Sequence, residues 1–398
     1  MKKIPLVGAI VFLMLTAGNR ATAQTTNDVL DILVKKGTIT QQDVDSIRVS
    51  SADKRPAAAG SQKSALVGSL CHISGYTQVR YQAYQLVGLP SGFDIRRARL
   101  LASGNLGSTW EYRLLVDFVG QQGASGTAPT GGALLAPELL DAYLAYKPFS
   151  FLKITAGQLI LPFSLENGET PDKDLLTVDR SQVVNALVAR KGDASNKLVD
   201  SIGNQNGRDI GIQISGNVGR TGSRYVADYY FAVLNGAGIN STDNNFKKDI
   251  SARVVFHPFK ILSIGGSYYN GVDRFTSSKT LDQRRDRWGT ELALKTDAFS
   301  LTAEYLRGRE GDANPIRHQG WYAQAGYYIV ANKLQGILKY DTYNSDIAMQ
   351  NATNTYYIFG ANYYFTKWTK VQADYSLRTE ESRSVPNNLF TVQLQVEF

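Results

Sequence analysis

A chain of 398 residues with a single cysteine, Cys71, closes no internal disulfide, and no CxxC or Cys/His cluster offers a zinc site. Beyond residue 17 no apolar run approaches the roughly 18 to 20 residues a membrane-spanning helix needs, which excludes a helical membrane protein. P-loop, GxSxG and HExxH patterns are missing, and the three histidines, His72, His257 and His318, sit near expected strand ends; no cofactor or metal is expected. The net charge of +8 comes without a basic stripe, so nucleic acid is not an expected partner. What is present is order: 43% hydrophobic and 11% aromatic residues are too many for a disordered chain. A slightly negative mean hydropathy leaves a membrane β-barrel open, because its strands alternate and average out.

Residues 1–23 read as a secretory signal: Lys2 and Lys3, an apolar stretch from Ile4 to Ala17, then the small-x-small site Ala21-Thr22-Ala23. Cleavage before Gln24 leaves 40 basic against 35 acidic residues, a mature charge of +5. Residues 24–65 form a helical periplasmic segment and linker. Thr26 or Asn27 caps a first turn, Gly37 ends it, and Thr40 with Asp43 caps a second; the stretch up to Ser64 is rich in Ser, Ala, Lys, Pro and Gly.

From residue 66 to 398 the period is two. Phe390, Val392, Leu394, Val396 and Phe398 alternate with Thr391, Gln393, Gln395 and Glu397, one face apolar and the other polar. Sixteen such segments start near residues 70, 93, 109, 138, 151, 207, 224, 249, 261, 286, 298, 318, 333, 354, 368 and 388. Their connections alternate between tight links and longer ones at 121–137, 163–206, 236–248, 271–285, 308–317, 344–353 and 379–387; only the first, 87–92, is short. Tight periplasmic turns alternating with long external loops are the pattern of an outer-membrane barrel. The expected fold is therefore all-β, a 16-stranded antiparallel transmembrane β-barrel with a short N-terminal helical periplasmic segment, its partner the lipid bilayer of the outer membrane. Sixteen strands leave an aqueous channel rather than a filled core. Aromatic pairs such as Tyr229-Tyr230, Tyr268-Tyr269, Tyr327-Tyr328 and Tyr363-Tyr364 mark where interfacial girdles are expected. Phe398 resembles the terminal aromatic of substrates of the outer-membrane assembly machinery, an expected partner.

Facing the aliphatic side to lipid turns Arg80, Arg97, Arg99, Arg113 and Arg253 toward the lumen, together with acids that include Glu111, Asp117, Asp141, Glu291, Glu304, Asp341 and Asp374. Arg96, Arg97 and Arg99 opposite Arg113 gather four guanidiniums on one strand pair, and planar forks suit phosphate oxygens. The alternative is a mixed-charge wall in which these arginines pair with Glu111 or Asp117. The 163–206 loop adds Lys173, Arg180, Arg190, Lys191 and Lys197, and as the third external loop it is expected to fold inward. His72 and Ser74 share a strand face, the arrangement of a barrel hydrolase acting on lipid or peptide; a structural or adhesive barrel is the other alternative to a porin.

Phe93–Leu100 (FDIRRARL), Ala156–Glu166 (AGQLILPFSLE), Asp179–Leu187 (DRSQVVNAL) and Arg208–Gly216 (RDIGIQISG) resemble successive landmarks of the phosphate-selective porin O and P family, in the family's order. Residues 33–40, Leu-Val-Lys-Lys-Gly-Thr-Ile-Thr, resemble leaders of such porins. The resemblance implies a homotrimer of sixteen-stranded barrels that passes small anionic or hydrophilic solutes, phosphate among them, along arginines and lysines; Arg96, Arg97, Arg99 and Arg208 fall on its motifs.

Overall fold

The computed structural model describes residues 70–86, 88–119, 137–188, 207–222, 224–274 and 282–398. The expected signal, the helical segment with its linker, and Arg190, Lys191 and Lys197 lie outside the described residues.

Sixteen antiparallel strands make one closed barrel: β1 (His72–Tyr84), β2 (Gly92–Leu106), β3 (Trp110–Asp117), β4 (Glu138–Phe149), β5 (Leu152–Ile160), β6 (Arg208–Thr221), β7 (Arg224–Leu234), β8 (Asp249–Phe259), β9 (Leu262–Arg274), β10 (Asp282–Lys295), β11 (Phe299–Glu310), β12 (Ile316–Val330), β13 (Leu334–Asn344), β14 (Thr353–Thr366), β15 (Thr369–Glu380) and β16 (Leu389–Glu397). Each pairs with its chain neighbours, and β1 closes on β16 from Tyr76↔Glu397 to Tyr84↔Leu389. Closure leaves no edge, which is what a sheet in lipid requires. The last residue completes it: Gly75 N–H donates to the Phe398 carbonyl at 2.9 Å, and Phe398 N–H returns the bond at 3.0 Å. A Cβ on Gly75 would lie 2.6 Å from the Phe398 ring, so the absent side chain makes room for the terminal aromatic.

The period-two pattern sets what faces where. Thr391, Gln393 and Gln395 of β16 are buried inside, while Phe390, Leu394 and Val396 are exposed on the outer face. The same outer apolar surface runs on through Leu144, Ile212, Phe231, Val254, Leu338 and Phe359. A continuous apolar exterior around a polar interior is stable in a bilayer, not in water. One end of the barrel has two- and three-residue turns and the other has long loops, as the sequence indicates.

Two details differ from the sequence expectation. Within the expected loops 271–285 and 308–317, β9 and β10 continue to Arg274 and Asp282, and β11 and β12 to Glu310 and Ile316. The inward-facing charges of these stretches are satisfied across the ladder, as where Arg287 pairs with Glu310 at 3.1 Å and Arg285 pairs with Asp273. The tyrosine pairs also divide: Tyr230, Tyr269, Tyr328 and Tyr364 turn into the lumen, and only Tyr229, Tyr268, Tyr327 and Tyr363 are left for the girdles. Strand alternation makes this unavoidable for adjacent residues.

Candidate functional site: the channel constriction

After β5 ends at Ile160, the chain turns into the barrel instead of over it. Residues 161–188 of this third external loop carry α1 (Leu165–Gly168), a 3-10 turn (Asp172–Asp174) and α2 (Gln182–Leu187). Such short helices are unstable alone, and here the wall caps them. Glu304 of β11 accepts Leu165 N–H at 2.9 Å and Glu166 N–H at 2.8 Å, closing the N-terminus of α1. Asp341 of β13 accepts Gln182 N–H at 2.9 Å at the start of α2, and Asp374 of β15 accepts Val178 N–H at 2.6 Å between them. Val183, Val184 and Leu187 then pack with Leu306 and Tyr322 in a buried apolar cluster. Gly308 permits that docking, since a Cβ there would sit 2.8 Å from Leu187.

The arginine cluster meets this loop. Arg97 Nη2 lies 3.3 Å and Arg180 Nη2 2.9 Å from Asp172, and Arg99 pairs with the same carboxylate. Arg99 also bridges to Asp117 at 2.8 Å, and Arg97 donates to Gln78 at 2.8 Å. A bulge where Val79 pairs with Ile95 and Gln78 with Arg97 leaves Arg96 unopposed on β2. That extra residue lets Arg96 reach Asp179 of the loop at 3.1 Å, beside Arg80, which holds Asp179 at 3.3 Å and Asp94 at 2.5 Å. Burial alone would raise the Asp172 pKa, but Arg97, Arg180 and Arg99 outweigh it and hold the carboxyl well below the usual carboxylate range. Asp179 is lowered in the same way: burial opposes, and Arg96 and Arg80 prevail.

A depressed pKa fixes the sign of the pH response. The latch contributes in full above the ordinary carboxylate value of about 3.9, and it is lost only as pH falls through the lower folded-state pKa of Asp172. The part of the single-channel conductance set by Asp172, read as the difference between the wild type and Asp172→Asn, is therefore expected to stay constant from neutral pH to about pH 4 and to vanish below that. A difference between the two proteins that disappears with a midpoint between pH 5 and 7 would contradict the assignment.

On the short-turn side of the loop two adjoining cavities of about 350 and 390 Å³ open between the loop and the wall. The first is lined by Arg113, Lys147, Lys153 and Arg253, with Asp141 as the acid facing them. The second brings Arg99, Lys173, Arg180 and Arg208, against Glu169, Asp172 and Glu397. Together they set eight basic groups against four acids. A third cavity, about 640 Å³, lies beneath the opposite side of the loop and is lined by Lys173, Lys295, Lys367 and Lys370 with Glu169, Asp174 and Glu397. Asp141 is shared by Arg208 at 2.5 Å and Arg113 at 2.7 Å, and Glu291 is held by Arg253 at 2.5 Å. Arg113 and Lys153 keep 33% and 27% of their side chains accessible, whereas Asp141, Glu304 and Asp341 are almost fully covered.

The expected site thus divides. Arg80, Arg97, Arg99 and Arg180 converge on the inward loop; Arg113 and Arg253 line the open cavity; Arg190 lies outside the described residues. Of the expected alternatives for pairing, Arg99 does meet Asp117, while Arg113 takes Asp141 and Glu111 goes to Lys153. Lys147 and Lys153 were absent from the sequence candidates, although Lys153 shares strand parity with the lumen-facing Thr155. Arg208, at the first position of β6, is buried and lines the second cavity. His72 and Ser74 share the wall of one cavity, with no hydrogen bond between them.

A family model described as phosphate-selective porin O and P matches residues 73–398. A search of curated protein sequences returns no match. Among solved structures, the anion-selective porin from Comamonas acidovorans is similar at 12% identity, with 82% of this chain and 99% of that chain covered and a TM-score of 0.57. OmpT of Vibrio cholerae in its trimer form is 13% identical over 82% and 99% of the two chains, with a TM-score of 0.54. The outer membrane channel DcaP of Acinetobacter baumannii is 11% identical over 82% and 97%, with a TM-score of 0.56. At these identities the likeness is one of fold.

Proposed function

The chain belongs to the phosphate-selective porin O and P family, a porin of the outer membrane that passes small hydrophilic solutes by passive diffusion, and from that premise we propose that its channel prefers anions, phosphate among them. The observation that carries this reading is the lining of the two cavities below the inward loop, eight basic side chains against four acids, of which Arg113 and Lys153 keep a third and a quarter of their side chains accessible. The lumen holds many carboxylates, but Glu304, Asp341 and Asp374 are spent on backbone N–H groups of the loop, and Asp172, Asp141 and Glu291 on arginines. Their charge is neutralised locally, while Arg113 and Lys153, although paired with Asp141 and Glu111, keep part of their side chains within reach of a passing ion. Several weak basic contacts in series draw an anion in without trapping it.

The Comamonas neighbour is named an anion-selective porin, which agrees with this preference. Assembly as a homotrimer belongs to the same proposal, supported by the trimer form of the Vibrio neighbour. So do cleavage of residues 1–23, a periplasmic segment at 24–65, and recognition of Phe398 by the assembly machinery. The test of phosphate affinity is single-channel recording in chloride. Millimolar phosphate is expected to reduce the chloride current, with a neutral sugar at equal osmolarity having less effect; equal effects would remove phosphate from the proposal.

A further inference from the structure

The continuation of β10, β11 and β12 beyond the expected strand ends places a second group of arginines on the outer face of the barrel. On these strands Arg285, Arg287, Glu310 and His318 are buried inside. By alternation Arg284, Asp286, Arg307, Arg309 and Arg317 face outward. Arg309 and Arg317 are direct cross-strand partners, and Arg307 lies one rung away opposite Gln319. Like charges directly opposite each other destabilise a sheet unless something neutralises them. Asp286 is the outward acid of this ladder; it is 2.8 Å from Arg284 and 3.9 Å from Arg309, and it also accepts from Asn270. Asp312, in the loop after β11, acts on Arg284 as well. Among the described residues, neither Arg307 nor Arg317 has an ion-pair partner. The Arg284 and Arg309 side chains remain 48% and 40% exposed.

The height of the group on the barrel identifies what it meets. Trp288 is the cross-strand partner of Arg307 and lies against Tyr305, centroids 5.4 Å apart; one rung nearer the short-turn end Tyr305 pairs with Trp321, which lies against Tyr340 at 4.6 Å. These rings mark the membrane interface on the long-loop side. At about 3.4 Å per residue, Arg309 and its partner Arg317 lie roughly 7 Å beyond the Trp288–Arg307 rung and roughly 14 Å beyond Tyr305 and Trp321, at the level of lipid head groups. A cation there faces away from the channel, so it cannot act on the permeating solute.

We propose that Arg307, Arg309 and Arg317, flanked by Arg284, form a binding site for the phosphate groups of an outer-leaflet glycolipid, with Trp288 and Trp321 against its acyl chains. Guanidinium forks take phosphate oxygens bidentately, and bound phosphates relieve the Arg309–Arg317 repulsion. Charge complementarity favours this occupant over another protein surface, which would have to supply its own acids at the same depth.

The test uses the full chain reconstituted in lipid nanodiscs, with retained lipid counted by native mass spectrometry. Diphosphoryl lipid A is expected to stay with the wild type, and dephosphorylated lipid A to be lost. Free inorganic phosphate in the buffer should not displace the retained lipid. Arg307→Gln/Arg309→Gln/Arg317→Gln is expected to lower retention of the diphosphoryl form about tenfold or more, the order for losing several basic contacts to anionic lipid. Its single-channel conductance and ion preference should match the wild type, which separates this site from the channel reading and shows the barrel intact. Equal retention of the two lipid forms by the wild type overturns the proposal without recourse to any variant. So does undiminished retention by the triple variant, or loss of its oligomer with lipid retention unchanged.

Discussion

Arg97→Ala/Arg99→Ala is expected to increase single-channel conductance severalfold and to lower the anion-to-cation permeability ratio. Both side chains are buried against Asp172 of the inward loop, and Arg99 also against Asp117. Removing one side of such a buried pair typically costs about 3–5 kcal/mol, because the remaining charge is left without its partner. Here the segment that can respond is the stretch of loop at Asp172, since α1 and α2 on either side keep their own anchors, among them Glu304, Asp341 and the pairs of Asp179 with Arg80 and Arg96. The barrel itself is held by a closed ladder and should stay folded. Asp172→Ala separates the two effects. It removes the same latch, so conductance should again rise, but it deletes a negative charge, so the permeability ratio should not fall. If conductance is unchanged in both variants, these arginines do not hold the constriction.

The second large effect belongs to the open wall. Arg113→Glu/Lys153→Glu should reduce the anion-to-cation ratio about tenfold. A unit charge about 8 Å from the ion's path is worth about 0.5 kcal/mol in water. Reversing two groups changes the wall by four units, or about 2 kcal/mol before salt screening reduces it. Arg208 still satisfies Asp141 in this variant, and both substituted side chains are partly in water, so the fold should tolerate the change. Conductance should change far less than in the Arg97/Arg99 variant, because neither Arg113 nor Lys153 forms an ion pair with the inward loop.

Much of this architecture is legible in the sequence because period two is a strong signal wherever one face meets lipid. The alternation around Phe390–Phe398 and Tyr357–Phe365 assigned the correct faces, and Arg80, Arg97, Arg99, Arg113 and Arg253 do turn inward. The signal fails where lipid no longer selects one face. Beyond the aromatic level, β9 to β12 carry charge on both sides, so Arg284, Arg285, Arg309 and Arg317 look like loop although they are paired strand. The arginine cluster raised a different difficulty. FDIRRARL shows four charged groups together, but it cannot show that the partners of its arginines are Asp172 and Asp179, 73 to 83 positions later. Nor does it reveal the bulge that puts Arg96 and Arg97 on the same side. The meaning of the lumen acids likewise depends on long-range contacts. As a composition they argue against anion preference; as caps for an inward loop they leave the basic groups in control.

The central claim concerns which ions the accessible wall attracts, and the zero-current potential across a planar bilayer under a tenfold KCl gradient tests it most directly. The wild-type channel is predicted to show the sign for chloride as the more permeant ion, and Arg113→Glu/Lys153→Glu a shift toward potassium. A wild-type potential with the sign for potassium would contradict the account.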